Sequence, residues 1–84
     1  MSDKNIIQNQ IDLAKDNNQN AFSFLLNMFW DDVYNFQLKR TKNEIEAEDI
    51  TIESFAKAFK KINTYNNKYV FKTWLITISK NLHI

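Results

Sequence analysis

Eighty-four residues containing neither glycine nor proline exclude most ways of building a sheet. Tight hairpins need residues that tolerate positive φ, and connections between parallel strands commonly use glycine. Helices joined by polar loops need neither. The expected fold is therefore all-α, a compact bundle of about four helices forming one domain over residues 1–84. Any left-handed cap must then come from asparagine. A chain this short buries one modest core and leaves no room for a deep, multilayered active site.

Apolar periodicity places the helices. Ile6, Ile7, Ile11, Leu13 and Ala14 recur mostly at three- and four-residue steps after Ser2 and Asp3, which suit a helix N-terminus. The run Asp16-Asn17-Asn18-Gln19-Asn20 ends this first helix. A second is expected from about Asn20 to Arg40, with Phe22, Leu25, Leu26, Phe29, Val33 and Phe36 as its apolar stripe. The break Thr41-Lys42-Asn43-Glu44 precedes a third, from about Glu46 to Ile62, with Ala47, Ile50, Phe55, Ala58 and Ile62 facing inward. It begins in acids and ends in lysines, as the helix dipole favours. After a loop from Asn63 to Lys68, a fourth helix is expected from about Tyr69 to Leu82, with Phe71, Trp74, Leu75 and Ile78 on one face.

Charge divides the chain sharply. All ten acids lie before Ser54, whereas residues 57–84 carry six lysines and no acid. Aromatics are interleaved with those lysines: Phe59, Tyr65, Tyr69, Phe71 and Trp74. Lysines neutralise phosphates while aromatic rings stack on unpaired bases, so this half suits a single-stranded nucleic acid. The acidic half suits a basic partner.

Other chemistries find little support. Without cysteine there is no disulfide or thiolate nucleophile, and His83 alone cannot make a zinc site. No Gly-rich phosphate loop, carboxylate pair in a cleft, or nucleophile with an adjacent base is visible, so neither an enzyme nor a cofactor is expected. The N-terminus lacks a signal-peptide core, and no window approaches the roughly 20 apolar residues of a membrane span. A soluble cytoplasmic protein without membrane insertion is expected.

Two regions have competing readings. On the third helix Asp49 and Glu53 project together, with Ile52 about a quarter-turn from the centre of the apolar stripe. They form either an acidic ridge that docks a basic helix or a solvated face with a Glu53–Lys57 pair. In the loop, Tyr65 and Tyr69 bracket Asn66, Asn67 and Lys68. Amides can read base edges and tyrosines can hold an unstacked base, but tyrosines can equally cap a core. Trp74 can be core or wedge, and Asn81 a contact or a C-cap.

The residues Glu46-Ala47-Glu48-Asp49-Ile50-Thr51-Ile52-Glu53-Ser54-Phe55-Ala56-Lys57-Ala58-Phe59, followed by Phe71-Lys72-Thr73-Trp74-Leu75-Ile76-Thr77-Ile78-Ser79-Lys80-Asn81, resemble the second conserved region of bacterial sigma factors of the extracytoplasmic-function (ECF) group. That pattern is an A-E-D-hydrophobic-T-Q-E-T-F helix, a variable loop, then F-x-x-W-L-x-x-I-A-x-N. The resemblance runs from about Ala14 to the end and is specific as a correctly spaced pair.

The resemblance implies a helical domain that binds the clamp helices of the largest subunit of core RNA polymerase and captures the melted non-template strand of the minus-ten promoter element. By position, Asp49, Ile52 and Glu53 become polymerase contacts, Ile52 departing from the usual glutamine. Tyr65, Asn66, Asn67, Lys68, Tyr69, Lys72, Trp74, Lys80 and Asn81 become DNA contacts. An anti-sigma factor is a further implied partner. Such factors normally carry a second helical domain that reads the minus-thirty-five duplex, so the chain is expected to be a fragment. The alternative is a helical interaction module that docks polymerase or an anti-sigma factor without reading DNA.

Overall fold

The computed structural model describes residues 3–82, with side chains from Asn5 onward. Ser2 and His83, singled out above, lie outside the described residues. Four α-helices follow in order: α1 Asp3–Lys15, α2 Gln19–Thr41, α3 Glu44–Lys60 and α4 Phe71–Leu82, with a 3-10 turn Ile62–Thr64 after α3. Among the described residues there is no strand, and no helix is long and apolar enough to cross a membrane.

Asparagine does most of the punctuation that glycine would otherwise do. Asn17 ends α1 at φ 66, and Asn18 next to it caps α2, its side chain accepting from the Ala21 N–H at 3.0 Å. Asn43 caps α3 through the Glu46 N–H at 2.9 Å, which moves the start of that helix two residues earlier than expected. One left-handed position went elsewhere: Lys42 ends α2 at φ 54, its N–H bonded to the Leu38 carbonyl at 2.8 Å. A lysine holds that strained position because the C-cap bond and the Thr41–Asn43 contacts fix the chain on either side.

α2 is the central helix. Its buried ridge climbs in four-residue steps through Ala21, Leu25, Phe29, Val33 and Gln37, narrower than the expected stripe. Phe22 and Leu26 flank it, half-buried. Phe36 is also only half-buried, bracketed by the cations of Arg40 and Lys80 at 5.7 and 5.9 Å from its ring. On α1 the buried edge is Ile11 and Ala14 with Ile7 beside them, and Leu13 faces outward because its position falls about 100° from Ala14 around the helix. All five inward residues expected on α3 and its end are buried, Ile62 within the 3-10 turn.

α4 starts at Phe71, two residues later than the apolar pattern implies. The Tyr69 carbonyl accepts from the Tyr65 hydroxyl, so it is held off the helical ladder, and Val70 supplies the first carbonyl, to the Trp74 N–H at 3.0 Å. Phe71, Leu75 and Ile78 are buried as expected, whereas Trp74 is half-buried.

Candidate nucleic-acid interface and docking face

Loop residues Tyr65 to Val70 arch over a groove walled by α1, α2 and the start of α4. Its volume is about 440 Å³, and its lining includes Gln8, Asp32, Asn67, Lys68, Tyr69 and Lys72, with Phe29 and Phe71 in its apolar wall. Tyr69 and Val70 are each 66% exposed although the groove beside them is largely apolar. A largely apolar groove with a few polar side chains in its lining suits a planar aromatic ligand.

The loop is shaped by its own side chains. The Asn66 side chain accepts from the Lys68 N–H at 2.9 Å while the Asn66 carbonyl accepts from the Tyr69 N–H at 3.0 Å, closing a tight turn. Asn66 is thereby committed to the backbone, and Asn67 is the amide left facing the groove. Tyr65 is only 6% exposed. Its ring meets Phe71 edge-on at 5.1 Å and Trp74 at 5.2 Å, and Phe71 continues to Phe29 at 5.3 Å. These contacts make Tyr65 and Trp74 parts of the aromatic floor under the loop. Burial pushes the Tyr65 phenol above its ordinary pKa, because a phenolate there would lose solvation.

Beyond the groove the exposed side of α4 continues the basic surface. Lys72, Thr73, Thr77 and Lys80 are exposed and fall within roughly half of the helix circumference, and α4 carries no acid. Lys72 and Lys80 are separated by about 12 Å of helix rise, so Lys80 and Asn81 sit at the far end of this surface and outside the groove.

The outer face of α3 is a separate feature. Asp49 and Glu53 are exposed, and Ile52 is 50% exposed. Ile45, which the sequence reading passed over, is 75% exposed. It lies seven residues before Ile52, so the two isoleucines stack about two turns apart with Asp49 between them. Lone exposed apolar residues are common, but two on one helix face beside carboxylates form a patch suited to a partner.

A family model for sigma-70 region 2 matches residues 25–84, covering most of α2 and all of α3, the loop and α4. The chain belongs to the sigma-70 region 2 family. Curated relatives place it in the ECF group. It is 33% identical over 79 residues to the ECF RNA polymerase sigma factor SigW of Bacillus subtilis, a span covering 94% of this chain and 42% of that protein. It is 32% identical to the ECF RNA polymerase sigma factor BldN of Streptomyces coelicolor, over 96% of this chain and 31% of that protein. Against the Bacillus subtilis ECF RNA polymerase sigma factor SigM the identity is 39% over 68% of this chain and 34% of that protein. The chain thus spans less than half the length of these relatives, and no solved structure matches it significantly.

Within this region 2 domain the two sequence motifs fall on α3 and α4, and the variable segment between them is the loop that roofs the groove. Of the residues singled out as DNA contacts, Asn67, Lys68, Tyr69 and Lys72 come together at the groove. Tyr65 also lines it, but as buried floor. The groove's other side, from Gln8 on α1 and Asp32 on α2, carried no sequence signal, because contacts between distant helices have no periodicity to reveal them.

Proposed function

We propose that this domain captures an unpaired promoter strand and docks on RNA polymerase, as the region 2 part of an ECF-type initiation factor. The observation that carries the reading is the groove under the loop, with Asn67, Lys68, Tyr69 and Lys72 at its mouth and an aromatic floor beneath. An unstacked base of the minus-ten non-template strand enters the groove against Tyr69, Asn67 offers donor and acceptor to the base edge, and Lys68 and Lys72 take the flanking phosphates. The strand then follows the acid-free face of α4 toward Lys80 and Asn81.

No bond is made or broken in this process. Unpairing a base costs a few kcal/mol, and a site that holds the extruded base by stacking and edge hydrogen bonds offsets that cost only for a matching base. Strand capture therefore stabilises the melted promoter.

The outer face of α3 is assigned to protein docking. Asp49 and Glu53 supply acceptors for a basic coiled coil, the clamp helices of the largest polymerase subunit, and Ile45 and Ile52 supply apolar contact beside them. An anti-sigma factor that blocks this face would compete with polymerase.

Binding to a panel of short single-stranded oligonucleotides with varied minus-ten-like sequences, at two salt concentrations and with complementary strands and duplexes as controls, tests the reading. One preferred strand, whose advantage survives added salt, supports it. Equal binding to every strand that salt erases overturns base reading, leaving a lysine-rich surface and the α3 docking face.

A further inference from the structure

We propose that α1 is a working part of the strand-reading groove and that Lys15 is the positioning residue through which it sets the shape of the loop. The inference rests on the assignment of the groove to strand capture. It adds a residue that lies outside the segment matched by the family model.

Three contacts carry it. Lys15, in the last turn of α1, extends its ammonium to the Tyr65 carbonyl at 3.1 Å, across 50 residues of sequence. The same Nζ lies 5.9 Å from the centroid of the Tyr65 ring. The hydroxyl of Tyr65 in turn donates to the Tyr69 carbonyl at the other end of the loop. Tyr65 is therefore gripped at its carbonyl by α1 and grips Tyr69 with its side chain.

The carbonyl of Tyr65 belongs to the peptide that leads into Asn66, where the turn begins. Fixing that peptide plane fixes the direction in which Asn66 to Tyr69 leave the 3-10 turn. Within Asn66–Tyr69 the other hydrogen bonds are local, from Lys68 and Tyr69 back to Asn66. Among the described residues, Lys15 supplies the side-chain hydrogen bond that reaches this loop from another helix. Because a hydrogen bond from a charged donor is stronger than a neutral one and weakens steeply with misalignment, its loss releases the loop more than its neighbours.

Lys15 is partly buried and is not in the groove lining, in contrast to Lys68 and Lys72. A phosphate contact and a positioning contact leave different signatures. Removing a phosphate contact weakens all strands alike and makes the salt dependence shallower, whereas loosening the loop lowers the discrimination between strands and leaves the salt slope in place.

The test compares the 84-residue chain with its Lys15→Met, Lys15→Arg and Lys68→Met variants. Fluorescence anisotropy with preferred and non-preferred single strands is measured at several salt concentrations, and amide hydrogen exchange is followed in parallel. Lys15→Met is expected to cut the preferred-to-non-preferred affinity ratio about tenfold with an unchanged salt slope, and Lys15→Arg to restore most of it. Exchange should quicken at Lys68 and Tyr69 and hold elsewhere. Lys68→Met should instead lower all affinities and flatten the slope. An unchanged ratio in Lys15→Met, an even loss with a shallower slope, or exchange quickened throughout the chain would each overturn the proposal. A wild-type chain with no strand preference would overturn the strand-capture assignment itself, and the proposal with it.

Discussion

Gln37 on α2 donates from Nε2 to the Ser79 hydroxyl on α4 at 2.8 Å, with both side chains fully buried. The Ser79 hydroxyl in turn donates to the Ile76 carbonyl at 2.7 Å, and Gln37 Oε1 has no hydrogen-bond partner among the described residues. Gln37 occupies the last step of the otherwise apolar α2 ridge, so this pair sets α4 against α2 by a directional contact where apolar packing alone would tolerate sliding. The α4 surface that carries Lys72 and Lys80 is thereby held in register with α2.

The two partners are expected to respond unequally to replacement. Ser79→Ala strands the buried amide of Gln37 and should destabilise the fold by roughly 1–3 kcal/mol, whereas Gln37→Leu removes the amide together with its unmatched oxygen and should be near neutral or stabilising. Urea unfolding of the two variants measures the difference. Equal losses would show that the pair contributes only by its volume.

Charge reversal separates the two faces of the domain. Asp49→Lys with Glu53→Lys, both at exposed positions, should reduce retention of core polymerase in a pull-down at least tenfold while leaving thermal stability and strand binding near wild type. Full retention of polymerase would remove α3 as the docking face.

Tyr65 makes stability depend on alkaline pH. Its phenol titrates above the ordinary tyrosine pKa in the fold because burial disfavours the charged form. Above about pH 10 the unfolded chain releases this proton while the folded one keeps it. Stability is then fully present below the unfolded pKa and falls as pH rises toward the folded value. Tyr65→Phe removes this titration, so denaturant midpoints measured from pH 8 to 11 should fall less steeply in the variant. Identical slopes would place the titration elsewhere.

Adjacent asparagines in the loop should behave differently. Asn66→Ala breaks the turn that places Lys68 and Tyr69, so both strand preference and amide protection in the loop should drop. Asn67→Ala removes an amide that lines the groove, so preference should drop several-fold with protection intact. Oligonucleotide binding and hydrogen exchange on the two variants give the comparison.

Much of this arrangement is legible in the sequence alone. The absence of glycine and proline, the apolar spacing and the asparagine clusters pointed to four helices, because helix periodicity and capping are local properties of a chain. The inward residues of α3 were readable for the same reason. Errors fell where a tertiary contact overrode the local pattern. Phe36 matches the apolar spacing of α2 but lies under two cations, and Gln37, a polar residue outside the expected apolar stripe, is buried against Ser79. Tyr69 carried the apolar pattern of α4 but is held outside the helix by Tyr65.

The sequence by itself determined the helical class, the separation of acid from base and the paired motifs on α3 and α4, since each is a matter of residue type and spacing along one segment. Tertiary structure alone decided that Tyr65 is floor and Tyr69 is rim, that Asn66 shapes the loop while Asn67 faces the groove, and that α1 reaches the loop through Lys15. These assignments depend on which surfaces meet when helices distant in sequence pack together, and no local periodicity encodes that meeting.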